Sequence, residues 1–195
     1  MKRQDQYTPE RLADRAQIQD VMYRWCRSVD RLDLVEMRKV FHPDATDAHG
    51  IFNGGVDDLI TWISARHKPI PFSMHSISNM LIEFASPDAA LVETYVRTVQ
   101  RYPAEASAAL SQLASGQEGP PTARDLLTCS RYVDRFERRN GEWRISRRTL
   151  VQDWKQVVDV PTNAPQAVGQ PVVGRRDQQD KVFQERKELG IHFED

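Results

Sequence analysis

The spacing of apolar residues changes at Pro71, and this change constrains the fold more than any other feature of the chain. Before Pro71, apolar residues recur every three or four positions, which is the period of an α-helix. The clearest set is Ile18, Val21, Met22, Trp25, Cys26 and Val29. After Pro71, apolar and polar residues alternate as in a β-strand. Helices followed by strands predict an α+β domain rather than alternating βαβ units.

Three helices are predicted before Pro71. Thr8 followed by Pro9 is a standard start signal for a first helix, which we expect to run to residue 29. Asp33, with Glu36 three residues later, has the pattern of a capping box and starts a second helix that ends at Pro43. The third helix is predicted at residues 56–66, before prolines that break the helical pattern.

Alternating residues predict long strands in the second half of the chain. The predicted strands are residues 45–49, 72–85, 89–101, 125–138 and 142–154. The last two are joined at Asn140-Gly141, a strong hairpin signal. We expect a glycine turn at 52–55 and an extended loop at 103–123. Together these elements predict a curved, mostly antiparallel sheet that packs on three N-terminal helices as a cone-shaped barrel, with a ligand pocket inside.

Composition and charge exclude several classes of partner. The chain of 195 residues has 27 basic and 28 acidic side chains, so its charge gives no reason to expect nucleic acid or an anionic membrane as a partner. No signal peptide or membrane span is apparent, which favours the cytoplasm. We expect one domain over residues 1–157. Residues 158–195 are first rich in Pro, Gly and Gln and then charged, and we expect a tail that is partly disordered or contacts another subunit.

Two residues stand out as candidates for acid–base chemistry. Asp30 lies at the edge of the apolar stripe of the first helix, where a carboxylate is costly unless it has a partner. His75 lies on a predicted strand and shares a face with Ile77 and Asn79. An imidazole paired with a carboxylate is a common proton-transfer unit. The alternatives are that Asp30 caps a helix and that His75 is a hydrogen-bonded core residue.

Two further polar residues are weaker candidates. Tyr23 lies two helical turns before Asp30 on nearly the same face, so its phenol could donate to a substrate, although a tyrosine at the edge of the core is an equally good interpretation. Arg148 lies in the last predicted strand, where strict alternation places it on the outer face.

No motif predicts a metal or a cofactor. The histidines form no metal-binding pattern, and Cys26 and Cys129 match no CxxC spacing. The chain has no glycine-rich nucleotide loop and no nucleophile elbow. We therefore expect neither a metal nor a cofactor.

Five segments in register resemble a known family. They are DRAQIQDVMYRWCRSVDRLD, VFHPDA, MHSISNMLIEF, LVETYV and YVDRFERRNGEWRISRR. Together they cover about residues 8–155 and are similar to the SnoaL-like branch of the nuclear-transport-factor-2-like superfamily, which includes polyketide cyclases, scytalone dehydratase and hexachlorocyclohexane dehydrochlorinase. The resemblance implies the cone-shaped fold named above and, in many members, a cofactor-independent reaction.

The resemblance also implies roles for particular residues. In the dehydratases and dehydrochlorinases, an aspartate after the first helix pairs with a histidine on a later strand, and these positions match Asp30 and His75. An active-site arginine of the dehydrochlorinases matches Arg148, which would need a β-bulge to turn inward. Trp25 stands where the dehydrochlorinase has a cation, which argues against dehydrochlorination. The second histidine of scytalone dehydratase has no counterpart.

The predicted function is therefore a cofactor-independent lyase or isomerase of the dehydratase type. Its Asp30–His75 dyad would remove a proton from a hydrophobic small molecule, such as a polycyclic one, with Tyr23 and Arg148 supporting the developing negative charge. The expected substrate-binding residues are Met22, Trp25, Phe52, Ile77 and Asn79. The family suggests a homodimer or homotrimer. Two alternatives remain: a non-catalytic small subunit, as in aromatic-ring dioxygenases, and a ligand-binding domain.

Overall fold

The computed structural model describes residues 3–113, 122–161 and 172–192. The helices are α1 Pro9–Arg31, α2 Leu34–Lys39, α3 Val56–His67, α4 Ser107–Leu113 and α5 Lys181–Glu188, with short 3₁₀ turns at Arg3–Tyr7 and Ala104–Ala106. The strands are β1 Phe41–His49, β2 Phe52–Gly55, β3 Phe72–Ser86, β4 Ala89–Tyr102, β5 Arg124–Arg139 and β6 Glu142–Asp159. The predicted order of three helices and four long strands is confirmed.

The predicted helix starts are confirmed in detail. The Thr8 hydroxyl accepts a hydrogen bond from the backbone N–H of Arg11, and Pro9 occupies the first helical position. The Asp33 carboxylate accepts a hydrogen bond of 3.1 Å from the backbone N–H of Glu36. Since α1 runs to Arg31, Asp30 lies in its last turn.

The six strands form one open sheet in the order β2-β1-β6-β5-β4-β3. All neighbours are antiparallel except β1 and β6, which are parallel. The sheet curves over the helices but is not closed, so the α+β prediction holds with an open sheet in place of a full barrel. Its inner face and the apolar stripe of α1 form the main hydrophobic core.

Three local predictions were wrong. Residues 52–55 form β2 instead of a turn, because the chain turns earlier, at Gly50, where φ is +66°. The second helix ends at Lys39, and β1 begins at Phe41 and runs through Pro43. Residues 103–113, predicted as loop, include α4, which buries Leu110 in a small second core. The rest of that predicted loop, residues 114–121, lies outside the described residues.

Two β-bulges set which side chains face inward. In β3 the register shifts between Ile77 and Met80. As a result, the odd-numbered residues face inward before this point and the even-numbered residues face inward after it. In β6 the pairing with β5 shifts after Ile145, so that Arg148 is buried while Arg147 is exposed. Strict alternation cannot anticipate either change.

The C-terminal part of the chain packs on its own domain. The last strand extends to Asp159, past the predicted boundary at residue 157. Residues 172–192 include α5, and Arg176 contacts the ends of α1 and α3 of the same chain. Whether this segment also contacts another subunit, and whether the protein is a dimer or a trimer, stay predictions. In the part of the chain described here, no helix is long and apolar enough to span a membrane.

Candidate active site

A cavity of about 300 Å³ lies between α3, α4 and the inner face of the curved sheet. Its wall includes His75 from β3, Gln100 from β4, Tyr132 from β5, His49 at the end of β1, and Trp62 and Arg66 from α3. A space of this size suits a small organic molecule. Residues that act on a bound molecule must lie at the wall of this cavity.

Asp30 and His75 are in direct contact at this cavity. The Nδ1 atom of His75 lies 2.7 Å from the Oδ1 atom of Asp30, and the backbone N–H of His75 donates to Oδ2 at 2.8 Å. The Ser73 hydroxyl donates a third hydrogen bond, 3.0 Å long, to Oδ1. Because Nδ1–H donates to the carboxylate, Nε2 is the ring nitrogen left with a free lone pair. This arrangement can accept a proton from a molecule in the cavity.

The dyad is positioned by the end of a helix and the start of a strand. Asp30 is only 9% exposed in the last turn of α1, and β3 passes over that turn with Ser73 and His75 on its inner face. Three hydrogen bonds to one carboxylate fix its rotamer and the plane of the imidazole. The Asp30 carboxylate therefore holds the imidazole of His75 in one orientation.

Arg176 anchors the C-terminal segment beneath the dyad. Its guanidinium donates hydrogen bonds of 2.8–3.0 Å to four backbone oxygens, those of Val29, Asp30, His67 and Ile70. The carbonyls at the ends of α1 and α3 lack helical partners and carry partial negative charge, which a guanidinium satisfies. Burial lowers the pKa of Arg176 to about 10, and the Asp30 charge opposes this shift, so the side chain is charged at neutral pH.

His49 is a further acid–base residue at the cavity, and it was not among the sequence candidates. Its Nδ1 atom lies 3.3 Å from Oδ1 of Asp47, a fully buried carboxylate. Burial lowers the pKa of His49, Asp47 opposes that shift, and the charges of Arg66 and Arg148 add to it. His49 is therefore neutral near pH 7. The signal in the sequence was the Asp-x-His spacing, which places both side chains on one face of a strand.

Arg148 is inside the protein, so the prediction from alternation was wrong and the orientation implied by the resemblance is correct. Its side chain is fully buried and donates two hydrogen bonds, of 2.8 and 2.7 Å, to the Asp134 carboxylate. The guanidinium carbon lies 4.0 Å from the ring centroid of Tyr132 and 4.7 Å from that of Trp25. Burial alone would lower the pKa of Arg148, but Asp134 outweighs it and the pKa is raised. Arg148 does not line the cavity; it lies behind Tyr132, which does.

Tyr23 and the predicted substrate contacts do not line the cavity. Tyr23 is 57% exposed and lies outside the cavity wall. Met22 and Trp25 are buried in the main core. Ile77 packs against the core, and the bulge that follows it leaves Asn79 exposed.

Of the predicted substrate contacts, Phe52 is linked to the cavity through one neighbouring ring. It stacks on Trp62, with ring centroids 5.3 Å apart, and Trp62 in turn lines the cavity. Periodicity placed these predicted contacts on the inner side of the elements, but the cavity occupies only one end of that interior.

No group of three or more His, Cys, Asp or Glu side chains among the described residues could hold a metal ion. Cys26 is buried in the core, and burial raises the pKa of its thiol to about 12, so it is not a nucleophile at neutral pH. Among the described residues, the titratable side chains that line the cavity are those of His49, Arg66, His75, Tyr132 and Lys155.

An open, curved sheet over N-terminal helices, with a cavity in the cone, defines a protein of the nuclear-transport-factor-2-like fold. The chain belongs to the SnoaL-like family, because the family model described as SnoaL-like domain matches residues 10–149. This confirms the resemblance seen in the sequence. A search of curated proteins finds no match.

Solved structures show the same fold at low sequence identity. A type 2 hexachlorocyclohexane dehydrochlorinase is 20% identical, with a TM-score of 0.64 over 81% of this chain and 97% of that one. A protein described as "Putative Scytalone Dehydratase" from Novosphingobium aromaticivorans is 21% identical, with a TM-score of 0.59 over 82% and 95%. The Kfla4162 protein of Kribbella flavida is 20% identical, with a TM-score of 0.61 over 74% and 93%. At this identity the likeness establishes the fold alone.

Proposed function

We propose that the protein is a cofactor-independent lyase or isomerase of the dehydratase type, acting on a small hydrophobic molecule. The observation that carries this proposal is the Asp30–His75 pair at the wall of a cavity of about 300 Å³. The carboxylate holds one ring nitrogen and the other is free, which is how a general base is arranged. Support also comes from the family and from similar structures that are named as a dehydratase and a dehydrochlorinase.

Proton removal would begin at Nε2 of His75. The C–H bond of the substrate breaks, its proton moves to Nε2, and its electron pair forms a double bond as a hydroxyl leaves or as an enolate develops. Asp30 stabilises the imidazolium that forms, because the two charges are in hydrogen-bond contact. In a dehydration, the imidazolium of His75 supplies the proton that leaves with the hydroxyl as water, which returns His75 to its neutral form.

The proposed base sets a requirement on the substrate. Positioned general acid–base catalysis supplies about 10² to 10⁴-fold, so the C–H bond must already be acidic, as it is beside a carbonyl. Leu126, Leu150 and Val96 contribute apolar surface to the cavity, which favours a hydrophobic carbon skeleton. Dehydration and isomerisation share the same first step.

Exchange of substrate protons with D₂O tests the first step without requiring a leaving group. Proton NMR would follow loss of the α-proton signals of 1-tetralone and of related cyclic ketones, both neutral and carboxylate-bearing. We expect the protein to accelerate exchange, and His75→Ala or Asp30→Asn to lower the rate by about 100-fold or more. His192→Asn removes an exposed histidine and serves as the control.

Binding and exchange must be measured together on the same ketones. A ketone that binds but exchanges no faster than with His75→Ala would contradict the proposal and indicate a ligand-binding domain. Exchange that survives His75→Ala would rule out His75 as the base. Either result is informative only if the variant unfolds at a temperature close to that of the unmodified chain.

A further inference from the structure

Arg66 presents a positive charge without a carboxylate partner at the cavity. It lies in the last turn of α3, and its guanidinium carbon is 4.3 Å from the ring centroid of Trp62. One terminal nitrogen, Nη2, contacts Nε2 of His67 at 2.8 Å, while Nε is buried without a hydrogen-bond partner. No carboxylate of the described residues forms an ion pair with it, and burial lowers its pKa.

The rest of the cavity wall offers nothing to neutralise this charge. Among the described residues that line the cavity, none is Asp or Glu, and Lys155 adds a second cation. Besides His49 and His75, the remaining polar groups of the wall are amides and hydroxyls, such as those of Gln100, Thr128 and Ser130. Asp30 is directed to His75 and Ser73, and both of its oxygens are used in those hydrogen bonds.

Arg148 and Arg176 differ from Arg66 because oxygen atoms accept hydrogen bonds from their guanidinium groups. Arg148 makes two hydrogen bonds to Asp134, and Arg176 makes four to backbone oxygens. A charge that is removed from water and left unpaired destabilises the fold. An anion that enters the cavity would complete the hydrogen bonding of Arg66 and would be drawn in by the positive charge of the wall.

We propose that the substrate carries a carboxylate and that Arg66 binds this carboxylate as the anchor of the substrate in the cavity. The inference rests on the proposed function, because it takes the same cavity as the substrate site and His75 as the base. The anchor is separate from the carbon that loses its proton, so the substrate needs an activating carbonyl as well as the carboxylate.

A carboxylate fits this site better than a phosphate. A guanidinium and a carboxylate are both planar and match in charge and in hydrogen-bond geometry. A phosphate dianion needs a second cation close to the first, but the other cation of the wall, Lys155, is exposed to solvent, and its Nζ is held at the end of α4 by the backbone oxygen of Leu113 at 2.6 Å. The apolar part of the wall suits the hydrophobic remainder of an organic acid.

Calorimetric titration of the full chain with 2-naphthoate and with 2-naphthamide tests the anchor. The two probes share a ring system and differ in charge. We expect naphthoate to bind at least about tenfold more tightly than the amide. Arg66→Met should remove this preference, and Arg66→Lys, which keeps the charge without the planar fork, should retain part of it.

Arg38→Met is the matched control, because it removes the same charge from an exposed arginine that pairs with Asp57 outside the cavity. Equal affinities for the two probes, or a preference that survives in Arg66→Met, would overturn the inference. Tighter binding of 2-naphthyl phosphate than of 2-naphthoate would overturn the choice of a carboxylate.

The two proposals fail in different ways. Selective naphthoate binding that depends on Arg66, without proton exchange on any bound ketone, overturns the proposed function and leaves a carboxylate-binding domain. Exchange of neutral ketones that depends on His75, without a preference for naphthoate, overturns only the carboxylate anchor.

Discussion

The Nε–H of Arg176 donates a hydrogen bond of 2.9 Å to the backbone oxygen of Asp30, although 146 positions separate the two residues. The segment after the last strand is thereby fixed to the helical turn that carries the proposed dyad. Arg31 and Asp180, 3.4 Å apart, reinforce the same contact. The C-terminal segment is thus part of the support of the site.

Replacing Arg176 with Met should therefore destabilise the protein and lower the exchange rate. Its loss removes four hydrogen bonds from a charged donor to backbone oxygens, and hydrogen bonds to charged groups contribute about 1.5–3 kcal/mol each, so we expect at least about 2 kcal/mol less free energy of unfolding. Urea denaturation measures this quantity. Arg175→Met is the control, since its side chain pairs only with the nearby, exposed Asp177. Equal stability of the two variants would contradict the anchoring role.

Arg148→Met should lower the free energy of unfolding by about 3–5 kcal/mol, because it leaves the Asp134 carboxylate buried and unpaired. Adding Asp134→Asn should recover part of the loss, since the uncompensated charge is then gone. Arg131→Met, which breaks ion pairs at the surface, should cost far less free energy of unfolding than Arg148→Met. If Arg148→Met changed the exchange rate but not the stability, a direct role at the substrate would be indicated.

Protonation of His67 should make the protein less stable in mild acid. Burial, together with the charges of Arg66 and Arg176, holds the pKa of His67 well below its usual value of 6.5. Below about pH 6.5 the unfolded chain therefore binds a proton that the folded protein does not, and the free energy of unfolding falls as the pH falls. One such group contributes a slope of up to about 1.4 kcal/mol per pH unit.

Urea denaturation between pH 7.5 and pH 5 measures this slope. We expect His67→Gln to flatten it and His192→Gln, at an exposed position, to leave it unchanged. An unchanged slope in His67→Gln would show that His67 takes up a proton equally in both states.

Ser73→Ala should slow proton exchange without weakening ligand binding. The Ser73 hydroxyl helps to fix the Asp30 carboxylate through a hydrogen bond of 3.0 Å but does not itself line the cavity. Losing one hydrogen bond to a charged group corresponds to about a tenfold change in rate. Ser76→Ala, at an exposed position of the same strand, provides the comparison. A change in affinity with an unchanged rate would argue against a positioning role for Ser73.

Tyr23→Phe should leave the exchange rate within about twofold of that of the unmodified protein, because a substitution at an exposed position costs little. The measurement decides between two interpretations of Tyr23: the exposed position in the structure, and the sequence hypothesis that its phenol supports the substrate. A loss of about 100-fold would restore Tyr23 as a candidate. The kinetics should be measured on the same ketone as for His75→Ala.

The sequence by itself predicted most of the helices and strands and the pairing of Asp30 with His75. Local chemistry at Thr8, Pro9 and Asp33 is sufficient to start helices, and Asn140-Gly141, where φ is positive at both residues, is sufficient to close a hairpin. The family segments placed Asp30 and His75 at matching positions. Their contact follows because the end of α1 and the start of β3 meet in this fold.

Only the tertiary structure decided which side chains reach the cavity. The bulges after Ile77 and Ile145 reverse the alternation of two strands, and nothing local in their sequences marks those positions. Arg176 makes its hydrogen bonds to residues distant in the chain, and His49 and Arg66 reach the cavity because distant elements pack around them. Periodicity reports which face of an element is inside, whereas the position of a cavity within that interior depends on how all the elements pack together.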